Sequence, residues 1–549
     1  MLHSLCLVAL CCLPASLARP ASTENPYGGS PWGGNNPWGA NYGGGLRGGN
    51  NGNESDRQAW QRAQFVKEAF ELAWDGYYKY AFPNDELLPV NNSFSNSRNG
   101  WGASAVDAFT TALVMENATI VNEILDFIPT INFAVSYEDE LVSLFETTIR
   151  YLGGMLSGYD LLKGPLANLA EKLPTIISLL MLRQPDNVDK LLAQAQTLAD
   201  ILSYAFESPT GIPSNSLRFS NRSTDGATDN GLATIGTLVL EWTHLSDLTS
   251  NATYAQLAQR GESYLLNPNP ASSEPWPGLL GTNVNITTGS FEDAAGGWSG
   301  KDDSYYEYLL KMFVYDSSRF SDYRDHWITA ADSTIAHLAS HPSSHPDLTF
   351  VAEFNHTDLM YESGHLTCFD GGNFILGGLV LDNPSYTHFG LDLVNGCHDT
   401  YAETLTGIGP ERFSWNATAL PANQTTFYDR AGFYILDARY ILRPEVLESF
   451  YYAYRATRDQ KFRDWSWAAF QAIYATTKIG SGFSEVEDVN AEGGGAKTNF
   501  MDSFLFAEVF KYAFLIQAPD AEWQVSDGGK NHYVFNTEAH PFKVAGPPV

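Results

Sequence analysis

Positive charge is scarce in this chain: 32 Lys and Arg stand against 63 Asp and Glu, leaving a formal net charge of −31. A chain of that sign repels phosphate backbones, which excludes nucleic acid as a partner. Cysteine is scarce too. Of five, Cys6, Cys11 and Cys12 lie near the N-terminus, which leaves Cys368 and Cys397. Two cysteines cannot build a disulfide framework, and in an oxidising compartment they suggest a single bridge. In the chain-entropy model such a bridge stabilises the fold by roughly 3–4 kcal/mol. Long apolar runs are missing: no run reaches the roughly 18 residues that a membrane span needs. HExxH, P-loop, GxSxG and CxxC signatures are absent as well, and with them the sequence basis for the chemistries they carry. What remains is an acidic chain with 13% aromatics, suited to neutral ligands.

The N-terminus reads as a targeting signal. Leu5–Leu13 is apolar, and Ser16 and Ala18 supply the small residues a signal peptidase requires, so residues 1–18 are expected to be cleaved. Residues 19–54 are rich in Gly, Asn and Pro and cannot present a continuous apolar face. They read as a flexible leader. Sequons at Asn53, Asn91, Asn117, Asn221, Asn251, Asn285, Asn355, Asn416 and Asn423 imply passage through a secretory lumen, hence a secreted glycoprotein.

From residue 55 to 549 helical periodicity dominates. Ala59, Ala63, Val66, Phe70, Ala73 and Tyr77 recur at steps of four and three, which predicts a long amphipathic helix over Asp56–Tyr80. Similar patterns mark Val142–Leu161, Leu191–Phe206, Ile235–Leu245, Ser304–Tyr315, Arg324–Ser340, Pro444–Arg455, Phe462–Thr477 and Ser503–Ala518. Asn531–Phe535 has the alternation of a short strand. Evenly spread helices without a long internal linker predict one all-α domain, closed as a ring of helix pairs around a cavity.

The chemistry-bearing features are carboxylates set in apolar or helix-terminal surroundings. Glu146 and Arg150 share a helix face at i, i+4, followed by Gly153 and Gly154, which permit close approach of another backbone. Asp303 occupies a capping position with Glu307 one turn on. Pro444 suits the first helical position, so Glu445 falls in the first turn, where the helix dipole favours an ionised carboxylate. Glu508 sits in the nearly apolar run SFLFAE, where an unpaired carboxylate is costly. VFNTEAHP gathers hydroxyl, carbonyl and carboxylate oxygens suited to calcium. Each has an ordinary structural explanation alone: ion pair, cap, helix start, outer face, solvated turn. Together they suggest a carboxylate-lined pocket, which glycoside hydrolysis requires: one carboxyl protonates the leaving oxygen and another activates water.

Six ordered segments, FETTIRYLGG, KDDSYYEYLLK, HLTCFDGG, LRPEVLESFYYAYR, SFLFAEVFKY and VFNTEAHP, resemble those of class I α-mannosidases, glycoside hydrolase family 47, from about Arg57 to Phe542. The resemblance is to the secreted branch. It implies an (α/α)7 barrel plugged at one end by a C-terminal β-hairpin. It also implies calcium-dependent, inverting removal of terminal α-1,2-linked mannose from high-mannose N-glycans. By motif, Glu146 is the expected general acid acting through a water, with Asp303 a rival for that role, and Glu445 is the expected base. Thr537 is expected to ligate calcium. Glu448, Phe504, Glu508 and Glu538 are expected to line the sugar subsite or the ion's water shell. Arg150 and Arg443 are expected to orient carboxylates, and Cys368–Cys397 matches the family's disulfide. The protein is expected to act as a monomer.

Two other readings compete. A glycan-binding quality-control protein of the same fold would not need intact Glu146, Asp303 and Glu445, and the chain's end at Val549 carries no ER-retention signal. An unrelated inverting barrel hydrolase acting on glucans would not need calcium.

Overall fold

A computed structural model describes residues 54–170, 187–528 and 530–549. The expected signal and leader lie outside the described residues. Residues from Glu54 to Val549 form one compact unit.

The unit is all-α, built from seven helix pairs in which an inner helix is followed by an outer one packed against it. The inner helices are Ala103–Val114, 144–163, 232–249, Asp303–Tyr315, Asp370–Val380, Glu445–Thr457 and 505–515. Their outer partners are Ala118–Phe127, Asn187–Leu202, Thr253–Leu265, Ser321–Ser333, Pro384–Ala402, Gln460–Thr477 and Glu54–Tyr80. The last pair joins the two ends of the chain. Helix Glu54–Tyr80 packs on 505–515, where Phe506 meets Phe70, Trp74 and Tyr77, and 505–515 packs on Ala103–Val114, so the ring closes.

Two kinds of sequence make this arrangement. Outer helices are amphipathic: Glu54–Tyr80 buries Ala59, Val66, Phe70 and Tyr77 and leaves most of its charges outside, Arg62 being buried against Asp464. Inner helices have neighbours on every side and are apolar nearly all round, as in Ala103–Val114, where every residue is buried. Helix 144–163 contains a π-turn at Thr148–Leu152, and 505–515 opens with another at Leu505–Val509. A π-turn misaligns the i→i−4 ladder and frees carbonyls for other partners. Here Ile149 O accepts from Asn536 and Phe506 O from Thr111.

The C-terminal hairpin pairs Tyr533–Phe535 antiparallel with Pro541–Lys543, in the register Val534↔Phe542. It enters the ring from one end. Ser157 donates to Pro541 O, Asp160 accepts from Lys543 N, and His244 stacks on Phe542 at 4.9 Å. Its tip, residues 536–540, reaches the middle of the barrel. Among the described residues no helix is long and apolar enough to cross a membrane.

Candidate active site

A cavity of about 410 Å³ opens above the hairpin tip, within the range of small-ligand sites. Glu146, Arg150, Asp303, Arg443, Glu445, Glu448, Phe504, Glu508, Thr537 and Glu538 all line it. The structure thus gathers into one cavity every catalytic, substrate-binding and metal-binding position expected from sequence, drawn from four inner helices, the approaches to two of them and the hairpin.

Ser143 caps the helix that carries Glu146, accepting from Glu146 N at 3.2 Å. Ser143 and Glu146 have the spacing of a capping box, yet the Glu146 carboxylate faces Arg150, whose Nε donates to it at 2.8 Å. Arg150 also reaches Asp107 at 3.2 Å and contacts Glu538, so one buried guanidinium joins three carboxylates. Burial pushes the Glu146 carboxyl up, but Arg150 and Arg98 outweigh it and hold it below its ordinary value.

Asp303 was expected at the cap of its helix. Asp302 takes that position and Asp303 is the first helical residue, one step on. Its Oδ1 accepts from Ser304 N at 2.8 Å. Burial, with Glu307 and Glu445 nearby, pushes Asp303 up to about 7. That leaves it partly protonated near neutrality, in the same cavity as Glu445.

Glu445 likewise opens its helix, with Pro444 at the cap rather than inside it. Leu442, just before, has a φ of 70°, a left-handed geometry that costs a branched side chain of order 1 kcal/mol or more and turns Arg443 and Glu445 toward the cavity. His365 Nδ1 lies 2.7 Å from Glu445 Oε2, and His365 Nε2 lies 2.6 Å from Tyr401 OH. Burial raises the Glu445 carboxyl, but His365 and Arg443 overcome it and hold it below its usual range. Arg443 itself grips Glu411 through paired bonds of 2.6 and 2.7 Å and stands 3.9 Å from Glu445.

Glu508 was weighed against a place on the outer face of its helix; it is buried and faces inward. Burial raises both Glu508 and Glu448, the latter to about 8. Arg150 lies over the Phe504 ring at 5.6 Å. Gly153 meets the hairpin, where an added Cβ would fall 2.7 Å from Asn536 Nδ2, and Gly154 meets the backbone of Val106. Cys368 and Cys397 form the expected disulfide, which ties the segment after His365 to the outer helix Pro384–Ala402.

The hairpin tip fits a hard cation. Among the described residues neither the hydroxyl nor the carbonyl oxygen of Thr537 has a hydrogen-bond partner, and Thr537 lines the cavity. No cluster of three His, Cys, Asp or Glu with metal-ligand spacing occurs among the described residues. A cation held here would therefore depend on Thr537 oxygens and water, within reach of the negative field of Glu448, Glu508 and Glu538.

Sequence reasoning missed Arg98, His365, Asp107 and Asp502. Arg98 and Asp502 line the cavity, and Arg98 lies 3.6 Å from Glu146 and 3.7 Å from Asp502. Asp107 is an isolated carboxylate in an apolar run, the same signal that marked Glu508.

Comparison with known proteins agrees with this geometry. The family model "Glycosyl hydrolase family 47" matches residues 69–544. The mannosyl-oligosaccharide α-1,2-mannosidase 1B of Aspergillus phoenicis is 57% identical over 484 residues, 88% of this chain and 92% of that protein. The mannosyl-oligosaccharide α-1,2-mannosidase of Coccidioides posadasii is 57% identical over 491 residues, 89% of this chain and 92% of its own. The solved α-1,2-mannosidase of Trichoderma reesei superimposes with a TM-score of 0.84 at 49% identity, covering 88% of this chain and 99% of that one.

Proposed function

The chain belongs to glycosyl hydrolase family 47, and from that premise we propose that it is a secreted, calcium-dependent α-1,2-mannosidase that trims terminal mannose from high-mannose N-glycans with inversion. The observation that carries the reading is the opposite protonation of Asp303 and Glu445 in one cavity, the former pushed up to about 7 and the latter held low. Hydrolysis with inversion needs such a pair. Asp303 gives its proton to the glycosidic oxygen as that bond breaks. Glu445 takes a proton from the water that attacks the anomeric carbon from the opposite face, so mannose leaves as the β-anomer. Glu146, ionised beside Arg150, serves as the water-bridged partner on the acid side. His365 orients the base, and Arg443, anchored by Glu411, keeps it charged.

Thr537 would hold the calcium through its hydroxyl and carbonyl oxygens, and when bound the ion would supply a positive centre for vicinal sugar hydroxyls. Secretion is supported by the eight described sequons, none of them buried, with Asn91, Asn221, Asn251, Asn355 and Asn423 exposed.

The test is release of free mannose from a high-mannose oligosaccharide and from α-1,2-linked mannobiose, with α-1,3- and α-1,6-linked mannobiose as controls. Release from the α-1,2 substrates alone, lost in EDTA and restored by calcium, is expected. Unchanged turnover in EDTA would remove calcium from the account, and release of glucose from glucans would replace it.

These shifts imply a pH profile. Glu445 must be ionised, and its lowered value keeps it so until the pH falls below the ordinary 4.5 of a glutamate. Asp303 must be protonated, a condition lost as the pH rises through about 7. Plotted for kcat/KM, activity is therefore expected to form a bell with its basic limb near pH 7. Asp303→Asn should lower kcat and abolish that limb. An unchanged basic limb in the variant would assign it to another group.

A further inference from the structure

Beneath the Thr537 turn lies a set of buried polar groups that the proposed reaction does not use. Glu241, on inner helix Val239–Thr249, is wholly buried and has no cationic partner among the described residues. Its Oε1 accepts two hydrogen bonds, from Tyr308 OH at 2.6 Å and from Asn536 Nδ2 at 2.8 Å. Tyr308 OH in turn accepts from Thr537 N at 3.2 Å. Asn536 is the hub of the turn. The second hydrogen of its Nδ2 goes to Ile149 O, the carbonyl freed by the π-turn, at 2.9 Å. Its Oδ1 accepts from Glu538 N at 3.0 Å and His540 N at 2.8 Å, so all four bonding positions of the amide are filled. These contacts hold the turn on both sides of Thr537, whose hydroxyl and carbonyl accept no hydrogen bond among the described residues.

We propose that Glu241, Tyr308 and Asn536 are positioning residues that fix the two oxygens of Thr537, so that the cation site is built before the cation arrives. The proposal rests on the calcium reading above. Ordinary packing would require only that these groups be satisfied. The present arrangement does more, because one carboxylate oxygen links two adjacent residues of the turn to two inner helices, and a shift of either helix moves the Thr537 oxygens.

Groups of this kind typically change metal affinity by roughly 10- to 100-fold when removed. The experiment is calorimetric titration of calcium into the full chain stripped with EDTA, paired with thermal melting in EDTA. Tyr308→Phe removes the acceptor of Thr537 N and is expected to raise the calcium Kd by about tenfold or more while leaving the metal-free melting temperature within a few degrees. Glu241→Gln keeps the shared acceptor and is expected to hold the Kd within about threefold, whereas Glu241→Leu should weaken it at least about tenfold. If Tyr308→Phe fails to fold in EDTA, the two Glu241 variants decide. An unaltered Kd in Tyr308→Phe, or equal Kd in the two Glu241 variants, overturns the positioning role while leaving the calcium reading intact. Absence of calcium binding by the unaltered chain overturns that reading and this one with it.

Discussion

Glu445→Gln is expected to lower kcat by roughly 10²–10⁴-fold, the range a positioned general base contributes. The substitution keeps the side chain's volume and an acceptor for His365, 2.7 Å away, and removes only the charge. Glu445 pays for ionisation in a buried setting, and that cost is offset by His365 and Arg443. A neutral amide forfeits the surplus by which those two groups overcome it, so the melting temperature should fall modestly. Binding of mannose, measured by calorimetry, should persist because the rest of the cavity wall is untouched. Loss of turnover with retained binding in a folded variant is the expected combination. Normal kcat in the variant would dismiss Glu445 as the base.

The second large effect concerns stability. Arg150 is nearly buried and joins Asp107, Glu146 and Glu538, two of which have essentially no exposed side-chain surface. Removing one partner of a buried ion pair costs about 3–5 kcal/mol because the other charge is left uncompensated. Arg150→Met should therefore lower the melting temperature by several degrees and abolish activity. Arg150→Lys should fail to restore either, since an ammonium cannot fork among three carboxylates as a guanidinium does. A Lys variant with unaltered melting and turnover would show that the three-way contact is dispensable.

The parts of the fold legible from sequence were those with a one-sided apolar pattern. Helices Glu54–Tyr80 and Gln460–Thr477 bury one face and show it in their spacing. Ala103–Val114 and Asp370–Val380 gave no such signal because they are apolar all round, with every side packed inside the ring. Thr253–Leu265 was hidden for the opposite reason: only Tyr254, Ala258, Gly261, Glu262 and Leu265 are buried, and two of those five are Gly and Glu. The π-turns leave no trace in periodicity, although they free the carbonyl that anchors Asn536.

The cavity residues were recovered through five of the motifs, each of which brought one to three side chains from a different helix or its approach, or from the hairpin. Arg98 was invisible because it lies in the polar loop SNSRNG, with no periodic context. Its position is set from a distance: Asp85, fully buried, accepts from the backbone N–H groups of Arg98, Gly100, Gly102 and Ala103 and so folds the loop over the cavity. Asp107 was legible in principle, a lone carboxylate in a largely apolar helix, and Glu241 less so, since Asp247 shares its helix. Neither stood in a segment that carried a resemblance.

The central claim is that one sugar is held between an acid and a base on opposite faces, so that water enters directly. Proton NMR of the first mannose released from an α-1,2-linked substrate, recorded before mutarotation, tests it most directly. The account predicts the β-anomer as the first product. Initial appearance of the α-anomer would mean a covalent intermediate and contradict it.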